Sequence, residues 1–430
     1  MKLYPHQEKA LKQTRVFKRC AYYLDMGLGK TYVGSEKAAQ YKKKTLLICQ
    51  KSKIEDWINH YRENYPLLPV FNLTNTKDVR GFNQCKGYSV GVINYDLVFR
   101  RDQYKKLEDF TLILDESSVI QNEKTERAKY ILKLKPENVI LLSGTPTSGR
   151  YEHLWSQIRL LGWNIDYECY WSQYIDFEYE EMPNGYHLRK VTGYKNVDRL
   201  KEKLALHGAV FQKSEEVFDL PPQIFQDIRC DRSSDYDMFL KNRLVVSDNG
   251  KEMVGDSTLK MFLYSRMLCG AYCPEKIKAL RDLLLSTEKR VIIFYNFNDE
   301  LEILLNLIDC FCSSGGEEYE NRHFSIFNGE LKDLSQYEHF DDTITLIQYQ
   351  AGAMGLNLQK ANTIVYFTPP VSSELYEQSK KRIHRIGQES SCFYYRLVCK
   401  GSIEEKIYKT LEMRADYTDK LFEKDYMNAT

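Results

Sequence analysis

No apolar run in this 430-residue chain approaches the roughly 18 residues that a membrane-crossing helix needs. The opening stretch MKLYPHQEKALKQ lacks the apolar segment of a signal peptide, so the expectation is a cytoplasmic protein whose 11 cysteines stay reduced. Neither sign of charge prevails. Lys and Arg number 61 against 60 Asp and Glu, which excludes a globally basic nucleic-acid coat and leaves a local basic groove as the way to hold a polyanion. Zinc-type cysteine spacing is missing as well: Cys269 and Cys273 form C-x3-C, and Cys310 and Cys312 form C-x-C, so scattered thiols are expected there. Tyrosine, by contrast, is abundant at 32, enough to offer stacking faces even if most line the core. The length exceeds one core and suits two α/β domains of roughly 150 to 250 residues each.

A further absence touches the chemistry. DMGLGKT (25–31) carries the Gly-Lys-Thr of a phosphate-binding loop, but the strict pattern wants a glycine where Leu24 stands. Two readings follow, a nucleotide site or a glycine-rich turn. AYYLDM before it reads as a strand and TYVGSEKAAQYKK after it as a helix, the context such a loop requires. Glycines 27 and 29 let backbone N–H groups close on phosphate oxygens, the helix end adds partial positive charge, Lys30 adds a full one, and Thr31 offers a hydroxyl to Mg²⁺.

Short apolar β-rich runs recur in both halves. TLLIC (45–49), VGVINY (90–95), FTLILDE (110–116) and NVILLSGT (138–145) alternate with helical patterns, and RVIIFY (290–295), HFSIFNG (323–329), ITLIQYQ (344–350) and TIVYFT (363–368) repeat the scheme. The expected fold is therefore α/β, two parallel-sheet lobes, with a mostly helical insertion at about 163–205 on the first. The Pro pair in DLPPQ (219–223) cannot continue a helix. It sets the expected boundaries: a first lobe at 1–215, a linker at 216–222 with a hinge near Pro221, and a second lobe at 223–430.

The strand LILDE ends in Asp115 and Glu116, where open α/β sheets place ligands. Such a pair reads either as a solvated cap or, after a phosphate loop, as a hydrolytic site in which Asp115 holds Mg²⁺ and Glu116 activates water. In QSKKRIHRIGQ (378–388), Arg382 and Arg385 share a face if the segment is helical. They read as a surface basic helix or as arginine fingers acting on the γ-phosphate.

With these pieces in place, the chain resembles the Swi/Snf branch of superfamily 2 helicase-like ATPases over nearly its whole length. LYPHQ (3–7) looks like the adenine-reading segment and nominates Gln7, and DMGLGKT matches the branch's phosphate loop, nominating Met26, Gly27, Leu28, Gly29, Lys30 and Thr31. LLICQKSKIEDWINHY (46–61) resembles motif Ia, DESS (115–118) motif II, SGTP (143–146) motif III, AGAMGLNL (351–358) motif V and RIHRIGQ (382–388) motif VI; EHLWSQIRLL (152–161) and GSIEEKIYKTL (401–411) also fit. Motif V adds Gly355 and Asn357 to the nucleotide contacts. Two departures stand out: Ser117-Ser118 replace the usual Ala-His, and Gln348, Tyr349 and Ala353 replace the usual Ser-Thr pair and glycine of motif V.

The resemblance implies two RecA-like lobes, ATP and Mg²⁺ as cofactors, and duplex or branched DNA as partner, with RNA left open. It also implies a minimal motor of bacterial or phage type that works in the cytoplasm of a bacterium or an infected host, with no membrane partner and with room for a loading, recombination or replication protein. Nucleic-acid contacts are expected at Lys51, Ser52, Asn94, Tyr95, Asn296, Asn328 and Gly329. The expected activity is DNA-dependent ATP hydrolysis driving translocation, against the alternatives of a strand-separating helicase or an ATP-switched binding module.

Overall fold

The computed structural model describes residues 2–144, 146–147, 150–181, 187–247, 250–312, 322–352 and 356–412. The chain divides between Phe218 and Asp219 into two compact units.

The first unit is built on seven strands, β1 (Arg19–Leu24), β2 (Thr45–Cys49), β3 (Val70–Asn72), β4 (Val90–Asn94), β5 (Thr111–Asp115), β6 (Asn138–Ser143) and, after a hairpin β7 (Ile175–Glu181) and β8 (His187–Tyr194), β9 (Ala209–Gln212). Their order is β3-β4-β2-β5-β6-β1-β9, and every pairing in that sheet is parallel. Side chains alternate across a strand, so a sheet covered on both faces needs apolar residues at every position. Ala21 and Tyr23 of β1 enter one core with Leu112 and Leu114, while Tyr22 and Leu24 enter the other with Ile113 and Leu142. This two-faced burial is why these strands read as continuous apolar runs. Helix α1 (Pro5–Gln13) starts with proline at a position where its missing N–H costs nothing, and α2 (Lys30–Tyr41) lies close to the sheet, since a methyl group on Gly34 would meet Leu142 at 2.8 Å.

The segment 163–205 departs from the expected helical insertion. Helices Tyr167–Tyr174 and Val197–Leu206 flank the antiparallel hairpin of β7 and β8, whose strands are largely exposed. Charged residues alternate with apolar ones there, and Trp171 and Phe177 pack under the Arg189 guanidinium.

The second unit repeats the layered plan with β10 (Gln223–Cys230), a small hairpin β11 (Leu244–Val246) and β12 (Glu252–Val254), then β13 (Val291–Tyr295), β14 (Phe324–Phe327), β15 (Lys332–Asp333), β16 (Ile344–Gln348), β17 (Thr363–Tyr366) and β18 (Cys392–Cys399). The large sheet runs β10-β18-β17-β13-β16-β14-β15, parallel throughout except for β15. Ile292 and Phe294 face one core, Val291, Ile293 and Tyr295 the other.

Candidate active site

Three parallel strands bring the chemistry to one sheet edge. β6 lies between β5 and β1, with Asp115 in register with Leu142 and Tyr23 with Ser143. The segments leaving the three strands, at Asp25, Glu116 and Gly144, are therefore neighbours, at the carboxyl ends where α/β sheets hold ligands.

The loop after β1 turns through left-handed backbone at Gly27 (φ 88°) and Gly29 (φ 75°), which glycine adopts without strain. Gly29 has a second reason: a methyl group there would sit 2.2 Å from Gln7 Nε2. Gln7 is buried on α1, its Nε2 donates to the Leu28 carbonyl at 3.1 Å, and His6 Nε2 lies 3.0 Å from the same oxygen. The other flank is held by β9 and the turn after it, where Asp25 N–H donates to Gln212 O, Ser214 N–H to Asp25 Oδ2 at 3.1 Å, and Ser214 Oγ to Met26 O. Lys30 opens α2 and donates from Nζ to Leu24 O at 3.1 Å and Asp25 O at 3.4 Å. Thr31 follows it in the first turn of the helix.

Asp115 ends β5 and accepts a 2.8 Å hydrogen bond on Oδ2 from the indole Nε1 of Trp57, a residue almost wholly buried on α3 (Ile54–Asn64). Burial first, and the neighbouring Glu116 charge second, push the Asp115 carboxyl up to about 6, although the Trp57 hydrogen bond and the Lys30 ammonium pull it down. Glu116 sits at φ 54°, a left-handed conformation uncommon for a side chain of this length, and its Oε2 accepts from Ser143 Oγ at 3.4 Å. Tyr95 is buried, and its hydroxyl donates to the carbonyls of Asp115 (2.9 Å) and Glu116 (3.4 Å). It thus shapes the acidic turn from within. Asn94 beside it is also buried, whereas Lys51 and Ser52 lie exposed in the turn before α3.

In the second unit the segment after helix Ser373–Lys380 is a series of turns, so the condition under which Arg382 and Arg385 would share a helical face is not met. The two arginines nonetheless converge, each placing Nη1 3.5 Å from Leu356 O. Gln388 binds this segment to the one before β17 by donating to Gln359 O at 3.1 Å and Ala361 O at 2.9 Å. Asn357 is exposed, and Gly355 lies outside the described residues. The Asn296 amide donates to Thr368 Oγ1 (2.8 Å) and Pro369 O (3.1 Å), and Asn328 Oδ1 accepts from the backbone of Glu330 and Leu331. Both half-buried side chains take part in shaping their own turns, and Gly329, next to Asn328, is exposed.

Among the described residues, Cys269, Cys399 and Glu404 offer ligand atoms within 4.8 Å of one another. Both Glu404 oxygens, however, accept from the buried Lys276 ammonium at 2.6 and 2.7 Å, so the group is a core ion pair beside thiols.

A lysine-bearing glycine loop at a helix start, with an acidic pair on the next strand but one, defines a phosphate-loop nucleotide-binding lobe. The matched domains go further: an SNF2-related domain spans residues 21–272 and a helicase conserved C-terminal domain spans 275–387. The chain belongs to the SNF2-related family. It is 24% identical over 411 residues to the SWI/SNF-related matrix-associated actin-dependent regulator of chromatin subfamily A member 1 of Mus musculus, covering 86% of this chain and 38% of that protein. It is 25% identical over 459 residues to the probable ATP-dependent DNA helicase CHR12 of Arabidopsis thaliana (94% and 40% covered), and 26% over 384 residues to the DNA repair and recombination protein RAD26 of Saccharomyces cerevisiae (82% and 35%). The chain thus spans about two fifths of the length of these relatives. A Sulfolobus solfataricus SWI2/SNF2 ATPase core in complex with dsDNA superposes with a TM-score of 0.44 at 20% identity, over 99% of this chain and 94% of that one.

Proposed function

We propose that this chain is an ATP-hydrolysing motor that moves along duplex or branched DNA, remodelling it or displacing bound protein. The observation that carries the reading is the shared edge of β1, β6 and β5, which sets Lys30, Ser143, Asp115 and Glu116 side by side in a lobe of the SNF2-related family. In use, the Lys30 ammonium exchanges its two carbonyl partners for the β- and γ-phosphates, and the N–H groups of Gly27 to Thr31 cradle the same oxygens. Glu116 orients the attacking water and takes its proton, while Ser143 steadies the carboxylate. Gln7 and Met26 border the loop and suit the adenine side of the nucleotide.

The acidic turn fits a divalent cation: two adjacent carboxylates, one of them buried and raised to about 6, are short of positive charge. Thr31 and Asp115 would hold Mg²⁺, which would neutralise phosphate charge when bound. Arg382 and Arg385 are assigned the remaining positive charge needed as the γ-phosphate leaves. Asn357 and Gly355 are kept as nucleotide contacts, and Lys51 and Ser52 as backbone contacts to DNA.

Displacement of a triplex-forming strand from duplex DNA tests the motor directly. ATP-dependent displacement is expected, and Lys30→Ala should abolish both displacement and ATP hydrolysis while leaving the fold intact. Brisk ATP hydrolysis with no displacement would favour the ATP-switched module, and release of a strand from a fork without a reannealing partner would favour a strand-separating helicase.

A further inference from the structure

Gln157, with no exposed surface, sits on the short helix Trp155–Leu160 behind the acidic turn. Its Nε2 donates to Pro146 O at 2.7 Å, and its Oε1 accepts from Ser117 Oγ at 2.8 Å and from Tyr23 OH at 3.0 Å. The amide's orientation follows from its partners: a prolyl carbonyl only accepts, so the nitrogen faces it and the oxygen faces the two hydroxyls. These partners lie on three different segments of the site. Tyr23 is on β1, one residue before Leu24, whose carbonyl receives Lys30. Ser117 directly follows Glu116. Pro146 lies three residues after Ser143, the hydroxyl that meets Glu116.

We propose that Gln157 is a positioning residue for ATP turnover, tying the Ser117 hydroxyl that follows Glu116 and the Pro146 carbonyl that follows Ser143 to the strand that feeds the phosphate loop. The proposal rests on the ATP-hydrolysis reading above. It also gives the Ser117 departure in motif II a physical role, because an alanine at that position could not donate to the amide. Other side chains of similar size fail for stated reasons. Glutamate would turn an acceptor toward the Pro146 carbonyl and add charge beside Asp115 and Glu116. Leucine would leave two hydroxyls and a carbonyl without this partner. A misplacement of the order of 1 Å at Glu116 is enough to cost about 100-fold in rate.

The test measures turnover at saturating ATP and affinity for a fluorescent ATP analogue in Gln157→Leu, Gln157→Glu, Ser117→Ala and the Ser117→Ala/Gln157→Leu double variant. Gln157→Leu and Gln157→Glu are expected to lower kcat about 10- to 100-fold, with analogue affinity within about threefold of wild type. Ser117→Ala should fall between, and the double variant should lose less than the product of the single losses, since both partners of one hydrogen bond are then gone. If Gln157→Leu fails to fold, Ser117→Ala and Gln157→Glu carry the same kcat criterion. Turnover unchanged in folded variants, or affinity and turnover falling together with the melting temperature, would overturn the proposal. Absence of ATP turnover in the wild-type chain would instead overturn the reading on which it rests.

Discussion

Trp57 and Glu116 show how single side chains set the chemistry. The indole N–H favours the ionised form of Asp115, working against the burial that pushes this carboxyl up to about 6. Cation binding needs the carboxylate, so nucleotide turnover should fall as pH drops through that range. Trp57→Phe removes the donor, raises the Asp115 pKa further and should move the acidic limb of the turnover profile up by about one pH unit. A limb that stays in place would mean another group controls it. Asp115 and Glu116 can be nominated from sequence because they close an apolar strand at the end where ligands gather, and Lys30 because it follows a glycine-rich turn between a strand and a helix. The roles of Gln157 and Tyr95 cannot, since they depend on the register of β1, β5 and β6 and on how a helix and a turn fold back beneath that edge.

At the scale of elements, buried strands announce themselves and exposed ones do not. β2, β5, β6 and β13 are covered on both faces and read as unbroken apolar runs, whereas β7 and β8 expose most of their length and alternate charge with apolar residues, so no helix or strand period dominates. β10 escaped for the same reason, because most of its residues are exposed despite its pairing with β18. A carboxylate stitches the second unit's elements together: Glu300, fully buried at the start of helix Asn298–Cys312, accepts from Asn296 N–H at 2.8 Å, Phe297 N–H at 3.2 Å and Thr368 Oγ1 at 3.1 Å. Burial outweighs these donors and raises its pKa from 4.5 to about 7. The folded state therefore binds this proton more tightly than the unfolded chain. The resulting stability is fully present below about pH 4.5 and is lost as pH rises through about 7, by up to roughly 3 kcal/mol. Glu300→Gln keeps an acceptor without the charge, so its melting temperature should overtake that of the wild type between pH 5 and pH 8 in steps of about one unit. Parallel melting curves across that range would show that Glu300 does not titrate as argued.

For the whole molecule, the domain matches join a phosphate-loop lobe to a helicase C-terminal domain, and the proposed motor needs both. Arg385 belongs to the second. Burial lowers its pKa, and its Nη1 shares the Leu356 carbonyl with Arg382, so the pair is held together at one place in that domain. Arg385→Ala should retain ATP binding and lose about 10³-fold in turnover, and unchanged turnover would assign it a purely structural part. DNA gripped through its phosphates should also loosen steeply with salt.

The most direct measurement is the steady-state rate of ATP hydrolysis by the wild-type chain and by Glu116→Gln, each with and without duplex DNA. Duplex DNA is expected to accelerate the wild type strongly, and Glu116→Gln to bind ATP still but turn it over at background in both conditions. A wild-type rate indifferent to duplex DNA, or a Glu116→Gln rate close to the wild type's, would contradict the proposed motor.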